Sequence, residues 1–104
     1  MPRDEIENLK MQFISCLAPV RIYLFGSFAD GSYSEHSDFD FYIVVSDSIS
    51  DLADATTQGY RAIRHIKQRP VDIIVGNQSR FERRKNTPSI ENEVFTKGVL
   101  LYEA

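Results

Sequence analysis

A chain of 104 residues is long enough for one hydrophobic core and too short for two, so a single domain over residues 1–104 is the expectation. Its 42% apolar and 26% charged residues describe an ordinary globular protein and exclude a disordered or collagen-like one. A formal charge of −3 argues against direct nucleic-acid binding as the main task, and no apolar run nears the roughly 20 residues of a membrane span, which makes the cytoplasm the expected location.

From Arg3 to Leu17, the residues Ile6, Leu9, Phe13, Ile14 and Leu17 recur at three- and four-residue spacings and predict an amphipathic helix that Pro19 ends. Cys16, the sole cysteine, permits neither an internal disulfide nor a cysteine-based zinc site. With Phe13 and Leu17 as helical neighbours it is expected to be a buried, inert thiol. VRIYLF, residues 20–25, is β-branched and aromatic, stops at Gly26 and predicts a strand. GSFADGSYSEHS is dense in Gly and Ser and predicts a loop with at most a turn or so of helix at its start. DFDFYIVV, residues 38–45, predicts a second strand, with Phe39, Phe41, Ile43 and Val45 on one face and Asp38, Asp40, Tyr42 and Val44 on the other.

A helix is expected from Ser48 to Lys67, with Ser48 as N-cap, Ile49, Leu52, Tyr60, Ile63 and Ile66 as its inner stripe, and Arg69–Pro70 as its end. VDIIV, residues 71–75, predicts a third strand bounded by Pro70 and by Gly76–Asn77, with Asp72 as its single polar member. Ser79 with Glu82 forms a capping-box pattern for a short helix, and Thr87–Pro88 supplies the N-cap and first residue of another that runs to Lys97 and closes at Gly98. The final VLLY is either a last strand or an apolar tail. This order predicts an α/β (α+β) domain in which helices flank a small mixed sheet.

The chemistry concentrates in FGSFADGSYSEHSDFDFYIVV, residues 25–45. Residues i and i+2 of a strand share a face, so Asp38 and Asp40 present two carboxylates side by side, and their mutual repulsion is relieved by a divalent cation. Asp72 interrupts an apolar run, which is unfavourable unless the carboxylate is paired, hydrogen-bonded or metal-bound. Three oxygen ligands without His or Cys favour Mg²⁺ or Mn²⁺ over zinc, and Mg²⁺ held by few carboxylates completes its shell with substrate phosphates. Gly26 and Ser27 offer close backbone approach, a hydroxyl and amides at the start of a helical turn, the features a phosphate needs. His36 and His65 read as exposed residues, and the basic cluster RFERRK, residues 80–85, as a solvated helix face.

Gly26–Ser27, ten intervening residues and Asp38-Phe39-Asp40, together with the strand containing Asp72 and the closing EVFTKGVLLYEA, resemble the minimal nucleotidyltransferases of the DNA polymerase β-like superfamily over nearly the whole chain. The resemblance implies the polymerase β-like fold, with Asp38, Asp40 and Asp72 binding two Mg²⁺ ions and Gly26 and Ser27 holding the β- and γ-phosphates of ATP. Asp72 would help deprotonate the acceptor hydroxyl. Members this small are often antitoxins paired with an α-helical HEPN ribonuclease toxin, and several transfer AMP to a tyrosine of that toxin. The resemblance therefore implies a hetero-oligomer and protein adenylylation. The alternatives are a non-catalytic partner that occludes the toxin and an enzyme acting on a small hydroxyl compound. Asp30 departs from the family pattern, which commonly has Arg there, and an acid at that point repels a triphosphate. Arg21, Arg61, Arg64 or the cluster Arg80, Arg83, Arg84 and Lys85 are the candidates to compensate.

Overall fold

The structure is a computed structural model that describes residues 2–104. Helix α1 spans Arg3–Leu17 and buries Ile6, Leu9 and Phe13 along one stripe, as their spacing dictates. It ends at Ala18, which adopts the left-handed conformation (φ 45°) and donates its N–H to the Ile14 carbonyl, with Pro19 blocking continuation. Strand β1 (Arg21–Phe25) leads directly into the four-residue helix α2 (Ser27–Asp30), and a loop then reaches β2 (Phe39–Val45). Helix α3 (Leu52–Ile63), strand β3 (Val71–Asn77), helices α4 (Gln78–Arg84) and α5 (Ile90–Lys97) and strand β4 (Val99–Glu103) complete the chain.

The four strands lie in the order β3-β2-β1-β4. β1 is antiparallel to both β2 and β4, and β2 is parallel to β3, which requires the α3 crossover between them. Helices cover both faces, so β2 is buried along its length apart from half-buried Asp40. On one face Phe39, Phe41, Ile43 and Val45 pack with Ile6, Leu9 and Phe13 of α1 and with Ala55 and Ile63 of α3. On the other, Tyr42 and Val44 pack with Tyr23 and Phe25 of β1, Phe81 of α4 and Val94 of α5. The expected alternation holds from Phe39 to Val45, although the strand begins one residue later than expected and leaves Asp38 before it, and the closing VLLY is a strand, paired along β1.

Several local expectations are corrected. Helix α3 begins at Leu52 with Asp51 as its cap, whose carboxylate accepts from Asp54 N–H, while Ser46 and Ser48 bond one another in the preceding turn. Its inner face is Ala55, Gly59 and Ile63; Ile49 and Ile66 lie outside the helix and are exposed. Tyr60 is partly exposed, and its hydroxyl accepts the Ile73 N–H at 2.9 Å. Strand β3 runs two residues further than VDIIV because Gly76 makes room for the Tyr42 ring. Asn77 caps α4 in place of Ser79, whose backbone N–H and hydroxyl donate to Asp47. Ser89 caps α5 in place of Thr87. Cys16 is half-buried beside a cleft of about 290 Å³ near Asp51 and Gln58, and burial raises its thiol pKa, which keeps it in the unreactive form.

Candidate active site

The parallel register of β2 and β3 sets Asp40 directly opposite Asp72 on the face that carries Tyr42 and Ile74. The antiparallel register of β1 and β2 sets Phe25 opposite Asp40. Gly26 therefore follows at the point where the chain passes over the Asp40 carboxylate. It has φ +75°, and a Cβ on it would collide with Asp40 Oδ2. These are two separate reasons for glycine at this position. Ser27 opens α2, whose first amides have no intrahelical carbonyl to bond.

Asp38 is exposed and immediately precedes β2, and Asp72 is also exposed. The exposure of Asp72 corrects the expectation that its carboxylate interrupts a buried run: this end of the strand is open to water, so the charge is solvated. Asp40 is the half-buried member of the group. Its pKa is pushed up to about 6, first by burial, then by the charges of Asp72 and Asp38, by a hydrogen bond shared with Asp72, and by Glu93.

The donor chemistry fits a hard divalent cation, since the carboxylates offer oxygen alone and the half-buried one holds its proton unusually tightly. The side chains do not converge on a single point as they stand. Among the described residues no group of three or more His, Cys, Asp or Glu is arranged to hold a metal ion.

The loop between α2 and β2 folds on itself. Asp30 accepts from the Ser32 N–H and hydroxyl, at 2.9 and 2.6 Å, and these bonds lower its pKa. Ser34 and Ser37 bond each other, so Ser37 organises the loop. Phe28 stacks on Tyr33, with ring centroids 4.6 Å apart, and packs on Phe39, anchoring both ends of the loop. His36 is 87% exposed, beside Glu35.

The cations proposed from sequence to offset Asp30 are mostly engaged elsewhere. Arg21 lies at the opposite end of β1, paired with Glu82 and Glu103. Arg61 lies in α3 and Arg64 caps its C-terminal end, on the other face of the sheet. Arg84 donates to Glu91 Oε1 at 2.9 Å, and Arg80 Nε lies 3.3 Å from Glu91 Oε2 without hydrogen-bond geometry. Lys85 pairs with Glu82, and Arg83 is exposed on α4.

Three residues of α5 escaped the sequence reading. Glu91 is fully buried (0% exposed) and accepts from the Tyr42 hydroxyl at 2.7 Å as well as from Arg84. Glu93 acts electrostatically on Asp40, and Lys97 on Asp30. The only hint in the sequence was the four-residue spacing of Glu93 and Lys97; their place beside the carboxylates depends on how α5 docks.

Among solved structures the fold matches a Sulfolobus solfataricus protein assigned as a nucleotidyltransferase, with TM-score 0.68 and 22% identity over 96% of this chain and 78% of that one. A toxin–antitoxin with AMP-PNP matches with TM-score 0.58 and 20% identity, over 94% of this chain and 73% of the other. A mutant of the toxin–antitoxin MntA–HpeT matches with TM-score 0.62 and 19% identity, again over 94% and 73%. Curated protein sequences give no significant match. The pattern of the family described as polymerase beta, nucleotidyltransferase covers residues 7–104, and the chain belongs to that family.

Proposed function

We propose that the protein transfers AMP from ATP to a hydroxyl, a tyrosine in the leading reading, of a HEPN-type ribonuclease toxin for which it is the antitoxin. The observation that carries this reading is the meeting of Asp40, Asp72 and Gly26 at one end of the sheet, in a chain of a nucleotidyltransferase family. Two similar folds are toxin–antitoxin proteins, one of them with AMP-PNP, which supports both the nucleotide and the kind of partner. The reaction needs ATP and Mg²⁺, which the cytoplasm supplies.

In this reading Asp38, Asp40 and Asp72 hold two Mg²⁺ ions. When bound, these supply charge stabilisation to the triphosphate and to the attacking oxygen. Gly26 lets the backbone approach the β- and γ-phosphates, and the Ser27 hydroxyl and amide donate to them. Asp72, exposed at the strand end, accepts the proton of the acceptor hydroxyl. The acceptor oxygen bonds to the α-phosphorus, the bond from that phosphorus to the bridging oxygen breaks, and pyrophosphate leaves.

The test is incubation with α-labelled ATP, Mg²⁺ and the toxin encoded beside it. Label on the toxin, lost in Asp38→Ala and Asp40→Ala, is the expected result. The second reading, occlusion without turnover, draws on the acid at Asp30 beside the phosphate turn. Neutralisation that survives both substitutions with no label on the toxin would select it.

A further inference from the structure

We propose that Lys97 binds the triphosphate of the nucleotide, reaching the Gly26–Ser27 turn from the end of α5. The assignment rests on the nucleotidyl-transfer reading and adds a residue to it.

Position is the first argument. β4 runs antiparallel to β1 with Val99 opposite Leu24. Gly98, the residue before β4, therefore lies beside the end of β1, and Lys97, the last residue of α5, directly precedes it. Contact at Gly98 fixes this approach. A Cβ there would collide with the Val94 carbonyl and stand 3.2 Å from the Leu24 carbonyl, so the end of α5 is pressed against the last turn of its own helix and against the end of β1. Lys97 is thus held one residue from a point of tight backbone packing.

Orientation is the second. Glu93 and Lys97 lie one helical turn apart on the same side of α5. Glu93 is felt by Asp40, and Lys97 by Asp30, although hydrogen bonds from Ser32 dominate at Asp30. Both side chains are exposed, and Lys97 adjoins Gly98, which packs against the end of β1 just before the phosphate turn.

Charge is the third. Asp30, Asp38, Asp40, Asp72 and Glu93 gather at this end of the sheet, and a triphosphate entering there meets repulsion that divalent ions offset only in part. Among the described residues Lys97 has no ion-pair partner within 4.0 Å, whereas Arg21, Arg69, Arg80, Arg84 and Lys85 are all paired. A flexible ammonium of this kind suits phosphate oxygens.

The experiment measures binding of a non-hydrolysable ATP analogue and of AMP, each with Mg²⁺, to the wild type and to Lys97→Ala and Lys97→Arg. Lys97→Ala should weaken analogue binding about tenfold, the loss of one charge-assisted hydrogen bond, and leave AMP binding unchanged. Lys97→Arg should retain most of the analogue affinity. Lys97 is exposed, so the thermal midpoint of Lys97→Ala should stay at the wild-type value. Equal analogue binding by wild type and Lys97→Ala, or equal weakening for analogue and AMP, overturns the assignment of Lys97 alone. A wild type that binds neither nucleotide overturns the nucleotidyl-transfer reading and the assignment with it.

Discussion

Gly26 shows how much one residue carries at this site. Its φ of +75° disfavours any L side chain, and a Cβ would strike the Asp40 carboxylate. Gly26→Ala should lower stability by about 1–2 kcal/mol from backbone strain and displace Asp40 as well. A urea midpoint checks the first effect and the Mg²⁺ response the second. The crowding of Asp38, Asp40 and Asp72 is the reason to expect that response. At ten times its dissociation constant, Mg²⁺ should add about 1.4 kcal/mol. That corresponds to a rise in thermal midpoint of roughly 5–10 °C. Asp40→Asn removes one of the carboxylates and should abolish most of the rise; an equal rise in both proteins would reject Asp40 as a ligand.

Secondary elements were legible to different degrees, for physical reasons. Helix α1 and the two faces of β2 follow from hydrophobic periodicity, which burial on a covered sheet enforces. The caps were legible less well. Asp51, Asn77 and Ser89 compete with Ser48, Ser79 and Thr87 a few residues away, and the winner depends on where the chain leaves the preceding loop or strand. Two positions go against local preference and yield paired predictions. Ala18 sits at a left-handed helix end, and Ala18→Gly should stabilise by about 1 kcal/mol. Gly59 lies inside α3, where a Cβ would make ordinary contacts with Ile73 and Leu17 at 3.5 and 3.6 Å, and Gly59→Ala should stabilise by about 0.5–1 kcal/mol. Thermal midpoints below the wild type in either variant would refute the corresponding argument.

At the scale of the molecule, Glu91 joins α5 to β2 through Tyr42 and to α4 through Arg84 and Arg80. Burial pushes its pKa up, but the hydrogen bonds from Tyr42 and Arg84, with the charge of Arg80, more than offset this and hold it below the ordinary glutamate value. The same burial and bond raise the Tyr42 pKa. With its folded-state pKa depressed, Glu91 contributes stability above the unfolded pKa, and that contribution is lost as pH falls through the folded value. Glu91→Gln should therefore lose about 2 kcal/mol at neutral pH. The gap to the wild type should narrow as the pH drops below about 4, where unfolded Glu protonates. Urea midpoints across that range check the sign, and a gap that widens toward acid would refute it.

The sequence by itself determined the fold class, the strand alternation and the pairing in type of a Gly-Ser turn with an Asp-x-Asp strand, because periodicity and spacing are local properties of the chain. It could not decide which charges meet. The approach of Asp72 to Asp40 needs the parallel register of β2 and β3, and the distribution of Arg21, Arg84 and Lys97 needs the sheet order and the docking of α5. Those contacts are long-range in sequence, and electrostatic coupling depends on distance in space, so only the tertiary structure could decide them.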